Sequence, residues 1–251
     1  MPPAGPDPEL PAPGRPDPEL VAVAALVFVD DLSAPVLDDR DTHHLADVLR
    51  LRPDERVAAS DGAGSWIPCR WSGSVGAALV VDGPVRHEPA PEPPVTVAFV
   101  PTKGDRPEWV AQKLTELGVD RIVPLRSHRS VVRWEGARGD RAVERLRRVA
   151  REASAQSRRT RLPEVTGVMG LDELAELAGP ELCLSHPGGG RPGLDRTVVA
   201  IGPEGGWDHE EQARFGAPVG LGPTVLRSET AAVVAGTLLC ALRGGLVGPL
   251  A

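Results

Sequence analysis

The sequence predicts an α/β protein with a mostly parallel sheet, preceded by a small all-β unit, and three observations carry that prediction. From residue 95 onward short apolar runs alternate with helix-length amphipathic segments, the pattern of strands joined by crossover helices. Between residues 24 and 86 the runs are shorter and are punctuated by Asp61-Gly62 and Asp82-Gly83, dipeptides suited to hairpin turns. Between the two regions lies HEPAPEPP (87–94), whose four prolines in eight residues suit an extended spacer.

These boundaries give a tail over 1–20, a barrel over 21–86, a linker over 87–94 and an α/β domain over 95–251. The tail repeats PDPEL at 6–10 and 16–20, and a segment so rich in proline and acid has too little apolar surface to offset the entropy of ordering. It is expected to be disordered. The barrel is assembled from AALVFVDD (24–31), DTHHLADVLRL (41–51), RVAASDGAG (56–64), SWIPCRWSG (65–73) and GAALVVDG (76–83), read as short strands and one short helix. The apolar run Val21–Val29 is read as a strand, because it is far below the roughly 20 residues that span a bilayer. No basic leader or cleavage site accompanies it, so the expectation is a cytoplasmic protein with no membrane partner.

In the α/β region Asp105 is placed to cap a helix that has Pro107 in its first turn, Val110, Leu114 and Leu117 on one face, and Gly118 at its end. Asp208 and Glu211 form a D-x-x-E capping box, closed by Gly216. Strands are expected at VTVAFVP (95–101), DRIVPLRS (120–127), ELCLSH (181–186), TVVAIGP (197–203) and APVGLG (217–222), with a last helix over 228–243. Gly188-Gly189-Gly190 reads as a flexible surface loop.

A net charge of -7 excludes a protein that is cationic over its whole surface, but the charge is uneven. Between Arg121 and Arg161 thirteen arginines face only Glu135, Asp140, Glu144 and Glu152. Such a patch fits phosphate contacts, and it equally fits a solvated face. Cys69, Cys183 and Cys240 are far apart and odd in number, and the histidines show no ligand spacing. A reducing compartment and no metal are the expectation.

Two stretches could carry chemistry. Ile201-Gly202-Pro203-Glu204-Gly205-Gly206 follows an apolar strand and precedes a capped helix, which puts flexible backbone at the carboxyl edge of a parallel sheet, where ligands bind in such folds. It is neither GxGxxG nor a P-loop, and it could be only a tight turn; if it holds a ligand, Gly205 is where close approach or a positive φ is expected. The second stretch, Gly220 to Ala232, runs into the last helix with Arg227 and Glu229 at the end that carries unpaired amides and a positive dipole.

Taken together, KGDRPEWVAQKLTELGV (103–119), PLRSHRSV (124–131), REASAQSRR (151–159), IGPEGG (201–206) and LGPTVLRSETAAVVA (221–235) resemble the ribosomal RNA small subunit methyltransferase E family. HHLADVLRL (43–51) is similar to that family's PUA-like domain. The resemblance runs from Ala24 to Leu246 and implies a PUA-like RNA-binding barrel before a SPOUT domain with a C-terminal trefoil knot. It further implies a homodimer that uses S-adenosylmethionine to methylate N3 of a uridine in 16S ribosomal RNA of the small subunit. Carried onto this chain, it implies cofactor contacts at Ser185, Ile201, Gly202, Glu204, Gly205, Gly206, Leu221, Gly222, Leu226, Thr230 and Ala231. Catalysis falls to Arg227 and Glu229. RNA contacts fall to Arg129, Arg147, Arg148, Arg151, Gln156 and Arg159, of which Gln156 and Arg159 match the family's first motif. Ala155 stands where the family often has glutamate.

Two rival readings are a ribose 2'-O methyltransferase and a non-catalytic RNA-binding protein of ribosome assembly. The first has a third motif resembling SLNV rather than LRSETA. The second has no reason to bind the cofactor.

Overall fold

The computed structural model describes residues 17–73 and 79–248. Residues 1–16, and the start of the GAALVVDG run at 76–78, lie outside them. The chain forms two compact units, one containing residues 17–60 and Trp66–Arg86, the other Asp61–Ser65 and the chain from His87 onward. The division is thus not the single cut near residue 87 that composition suggests.

The first unit contains α1 (Pro18–Ala22), β1 (Ala25–Phe28), α2 (Asp39–His43), β2 (Arg56–Ser60), β3 (Ser65–Arg70), β4 (Val80–Val81) and β5 (Arg86–His87). They make a five-stranded mixed sheet of order β1-β2-β3-β4 with β5 also on β3; β1 and β2 are parallel, β2 and β3 antiparallel. Val27, Val57, Ile67, Trp71 and Leu45 fill its core.

The expected tail extends too far. Asp17 caps α1 by accepting from the Glu19 amide at 2.8 Å, Leu20 is fully buried, and Arg86 pairs with both Asp17 (2.9 Å) and Glu19. Composition could not show this, because the cation that holds the acidic segment lies more than sixty residues away. The strand read over Val21–Val29 accordingly shortens to Ala25–Phe28.

The second unit contains β6 (Thr96–Phe99), α3 (Arg106–Glu116), β7 (Arg121–Arg126), α4 (Gly136–Gln156), β8 (Glu164–Val165), β9 (Met169–Gly170), α5 (Leu171–Ala178), β10 (Leu182–Gly190), β11 (Val198–Ile201), α6 (His209–Arg214) and α7 (Ser228–Arg243). The sheet has the order β10-β11-β6-β7-β8 with β9 also on β7, and these pairings are parallel. The chain enters at β6, moves outward through β7 to β8, then returns to the opposite edge and works inward to β11. The direction of winding therefore reverses between β6 and β11, where the loops leaving the strands diverge and open a crevice.

Alternate residues of each strand point to opposite faces, and both faces are covered. On one side Val97, Phe99, Val199 and Ile201 meet Leu114 of α3 and Ala232, Ala235 and Leu239 of α7. On the other, Ala98, Val100, Val123, Leu125 and Ala200 meet Leu174 of α5 and Trp207. Burial on both faces is why these strands read as unbroken apolar runs. Gly236 of α7 has no room for a side chain, since a Cβ there would lie 2.8 Å from Leu114 Cδ2 and 3.0 Å from Val119 Cγ2.

Helix limits follow the sequence closely. α3 ends in a reversal in which Gly118 takes φ +91° and the Val119 amide donates to the Leu114 carbonyl. Asp105, however, does not cap α3 through its side chain; its carbonyl accepts from the Trp109 amide instead. The capping box Asp208–Glu211 forms as read. APVGLG is not a regular strand, because Val219 makes only isolated bridges to Ser185 and Gly190. Gly188–Gly190 belongs to β10 rather than to a loop. A Cβ at Gly189 would strike the backbone of Val219 and Gly220 at 2.5 and 2.6 Å, so these glycines permit backbone-to-backbone passage. No helix among the described residues is long and apolar enough to cross a membrane.

At the amino end of β7 Asp120 accepts from the Val95 amide at 2.9 Å, pairs with Arg159 at 3.6 Å, and binds Arg243 of α7. Arg243 also donates to the Gly118 carbonyl at 2.8 Å and Arg159 to the Thr115 carbonyl at 3.0 Å. Removing one partner of such a buried pair strands the others. Asp120→Ala is expected to destabilise the protein by about 3 to 5 kcal/mol in urea unfolding.

Candidate functional site

A cleft of about 820 Å³ opens at the carboxyl ends of β10 and β11, at the reversal in winding. Three backbone segments and two arginines wall it. Ser185, Ile201, Gly202, Glu204, Gly205, Gly206, Leu221, Gly222, Leu226, Arg227 and Ala231 all line it, so positions dispersed over nearly fifty residues of sequence converge.

Hydrogen bonds tie the segments together. Trp207 Nε1 donates to the Ser185 carbonyl at 3.0 Å, and Ser228 Oγ donates to the Gly202 carbonyl at 3.0 Å. A Cβ on Gly202 would lie 3.0 Å from Trp207 Cε2, so the missing side chain lets the indole pack under the loop. The Gly206 amide donates to the Pro203 carbonyl at 2.8 Å, which closes a turn. The positive φ falls at Gly206 (+68°) and not at Gly205, whose Cβ would touch only Arg129 at 3.8 Å.

Thr230 departs from expectation, being exposed and outside the lining. At 3.6 residues per turn it stands about 200° from Ser228, whose face points inward. Glu229 is turned toward α3: its Oε1 lies 3.6 Å from Arg106, and its Oε2 is buried without a hydrogen-bond partner. Arg106 also reaches Glu204 at 3.5 Å and so bridges the glycine loop and the start of α7. Sequence reading missed Arg106; it stands in the 103–119 stretch, but no spacing rule pairs it with residues a hundred positions away.

The arginine-rich stretch divides by role. Arg129 donates to the carbonyls of Gly205 (2.9 Å) and Trp207 (3.4 Å), bracing the glycine loop. Arg147, Arg148 and Arg151 line a groove of about 790 Å³ between α4 and residues 162–169, with Arg147 Nε on the Val165 carbonyl at 3.0 Å. Gln156 is exposed near the end of α4. Arg159 is not a surface residue. Its side chain is 14% exposed within the Asp120 cluster, and burial draws its pKa down to about 10 while Asp120 opposes the fall.

Beside the cleft the His128 amide donates to Glu211 Oε1 at 3.1 Å, and the His128 imidazole bonds Asp208. His128, Asp208 and Glu211 bring three metal-capable atoms within 4.8 Å, a cluster the sequence spacing does not reveal. Hydrogen bonds of the capping box already engage both carboxylates, and the cluster fastens the loop after β7 to α6.

Comparison with known proteins agrees with this architecture. Residues 89–240 match the RNA methyltransferase domain family and residues 37–71 the RNA methyltransferase PUA domain. The chain is 34% identical over 238 residues to the ribosomal RNA small subunit methyltransferase E of Mycobacterium bovis, covering 85% of this chain and 90% of that one. The Bacillus subtilis protein of the same name is 28% identical over 218 residues, covering 78% and 85%. Among solved structures, a ribosomal RNA small subunit methyltransferase E from Neisseria gonorrhoeae bound to S-adenosyl methionine superposes with TM-score 0.75 at 25% identity, covering 89% of this chain and 99% of that one. A putative methyltransferase from Legionella pneumophila, in complex with the bound cofactor SAM, gives TM-score 0.74 at 26% identity, covering 86% and 96%. Fold and site thus define an RNA methyltransferase with a PUA-type first unit. Within that class, the chain belongs to the ribosomal RNA small subunit methyltransferase E family.

The His128–Asp208 contact has a defined pH window. Hydrogen bonding to Asp208 holds His128 above its usual 6.5, and the Glu211 amide and His128 hold Asp208 below its usual 3.8. The raised group loses its contribution as pH climbs through its folded pKa, and the lowered one as pH falls through its own. The contact therefore persists from below pH 3.8 to above pH 6.5. In an NMR titration His128 should titrate above 6.5, and Asp208→Asn should return it toward that value.

Proposed function

We propose that this protein transfers the methyl group of S-adenosylmethionine to N3 of a uridine in 16S ribosomal RNA, acting in the cytoplasm as a homodimer without a metal ion. The observation that carries the reading is the cleft at the winding reversal, walled by the glycine loop and by the start of α7 with Arg227 at its lip. Its volume lies within the range of small-molecule sites. Ile201, Leu221 and Leu226 offer apolar surface, and the 202–206 turn and Ser185 offer backbone polar groups, a set that suits a nucleoside joined to a charged amino acid. Family membership and the cofactor-bound structures of similar proteins support the same ligand.

The reading also takes the segment before α7 to be threaded as a trefoil knot. Its support is the close passage of residues 218–220 against Gly188–Gly190. Half-buried Val233, Val234 and Leu238 of α7 offer the apolar surface for a second copy. The first unit and the groove of Arg147, Arg148 and Arg151 are assigned to RNA.

When bound, S-adenosylmethionine supplies an electrophilic methyl group on sulfur. Uracil N3 attacks that carbon only once its own proton is lost, so the protein must favour the uracil anion. Arg227 is exposed at the cleft with no hydrogen bond or ion pair from its side chain among the described residues, and it stands at the helix end where amides are unpaired. It is placed to stabilise charge on the uracil carbonyl oxygens. Glu229, in the first turn of α7, is held toward α3 by Arg106, which makes it an orienting group of the site.

Arg227→Ala is expected to keep cofactor affinity in calorimetry and to lose about 10²- to 10³-fold in single-turnover rate on unmodified small subunits, partly restored by raising the pH. Glu229→Gln should lose less than about tenfold, below what loss of a general base brings. A thousandfold loss in Glu229→Gln beside a near-normal Arg227→Ala would reverse the assignment.

Reversing charge at Arg147, Arg148 and Arg151 to Glu should weaken RNA binding and reduce the log-log salt slope by about 0.7 to 0.9 for each phosphate no longer neutralised. Unaltered RNA affinity at every salt concentration would make the groove a solvated face.

A further inference from the structure

A second cavity adjoins the cleft and serves no role in the reaction as described. It encloses about 210 Å³ at the carboxyl end of β7. At roughly 30 Å³ per water molecule this space far exceeds a hydration site. The strip 127–130 is the wall between the two spaces: Ser127, His128 and Ser130 face the second cavity, and Arg129 faces the cleft. That strip is fixed by the His128 contacts with Asp208 and Glu211 and by Arg129 on the glycine loop, so the two cavities hold their relation.

The lining combines apolar, hydroxyl and cationic groups with the His128 imidazole and one exposed carboxylate, Glu135. Val132 and the half-buried Trp134 supply apolar and aromatic surface, and Trp134 is set against the core. Ser127 and Ser130 supply hydroxyls, 3.2 Å apart, that can donate and accept. Arg126 and Arg133 supply cations at the rim. Arg126 has only a 4.0 Å approach to the exposed Glu173, and Arg133 has no ion pair among the described residues.

An aromatic wall, hydrogen-bonding groups for an edge and cations for a phosphate are the parts that hold one unstacked nucleotide. We propose that this cavity is a nucleotide subsite, receiving an RNA residue adjacent to the methylated uridine with Arg126 and Arg133 on its phosphate. The proposal rests on the methyl-transfer reading above. A base entering the cleft must leave its stack, and a neighbour held beside it keeps the strand open.

The test uses the full-length protein and unmodified small subunits. Val132→Trp fills the cavity, while the double variant Arg126→Ala/Arg133→Ala removes only exposed charge and leaves the fold intact. Both should raise the half-saturating subunit concentration about tenfold, the size expected when one nucleotide is no longer held, with maximal rate within about threefold of wild type. Calorimetric affinity for S-adenosylmethionine should not change. Uridine 5'-monophosphate alone should shift the Trp134 indole N–H resonance in wild type and not in Val132→Trp. Wild-type half-saturation in both variants, or a fall in cofactor affinity in place of RNA affinity, would overturn the subsite. If wild-type protein binds no S-adenosylmethionine, the methyl-transfer reading falls as well, and the two failures are thereby told apart.

Discussion

One carboxylate fixes the end of the second unit opposite the cleft. Asp120 begins β7 and gathers Val95 before β6, Arg159 after α4 and Arg243 in the last turn of α7. Each partner comes from a different element, so their relative heights along the sheet are set at one point. Two guanidiniums and one carboxylate leave a net positive cluster in a poorly solvated place, which is tolerable because carbonyls of Pro93, Thr115 and Gly118 take further donors. With α7 pinned at its last turn and packed through Gly236 against α3 and β6, its first turn is carried about 20 Å away to the opposite edge of the sheet. Arg227 and Ser228 arrive at the cleft by that route.

The walls of the cleft are loops in which glycines and prolines set the turns, tied together by Trp207, Ser228, Arg129 and Arg106, which also line it. A ligand there would meet loop backbone and charged side chains together, Glu204 and Arg227 among them. The pair with displaced pKa values, His128 and Asp208, belongs to the bracing and not to the lining. Arg227 differs from the other arginines of the cleft in that no partner engages its side chain among the described residues, whereas Arg106 and Arg129 are occupied.

Much of this was legible in the sequence because local rules decide it. The capping box at Asp208, the end of α3 at Gly118 and the limits of α7 follow from residue types a few positions apart. The convergence of Ser185, Gly202–Gly206 and Leu221–Ala231 came from family resemblance, since no periodicity links them. What escaped depended on partners distant in sequence. Acidic residues 17 and 19 read as tail but are held by Arg86, Arg159 reads as an RNA contact but is paired with Asp120, and Gly188–Gly190 reads as a loop but lies against residues 218–220. Short β8 and β9 had too few residues to show a pattern, and α5 went unread.

The turn Asp61–Ser65 lies between β2 and β3 of the first unit yet folds with the second, where the Gly64 amide donates to Thr160, the Leu162 amide to Gly62, and the Glu88 amide to Gly64. The two units are therefore interleaved along the chain and are not cassettes. A fragment starting in the proline-rich spacer would expose the backbone of residues 160–162, so the second unit cannot be excised or exchanged by cutting there. The ribosome, too, must deliver the amino-terminal third before the carboxyl-terminal unit can be completed.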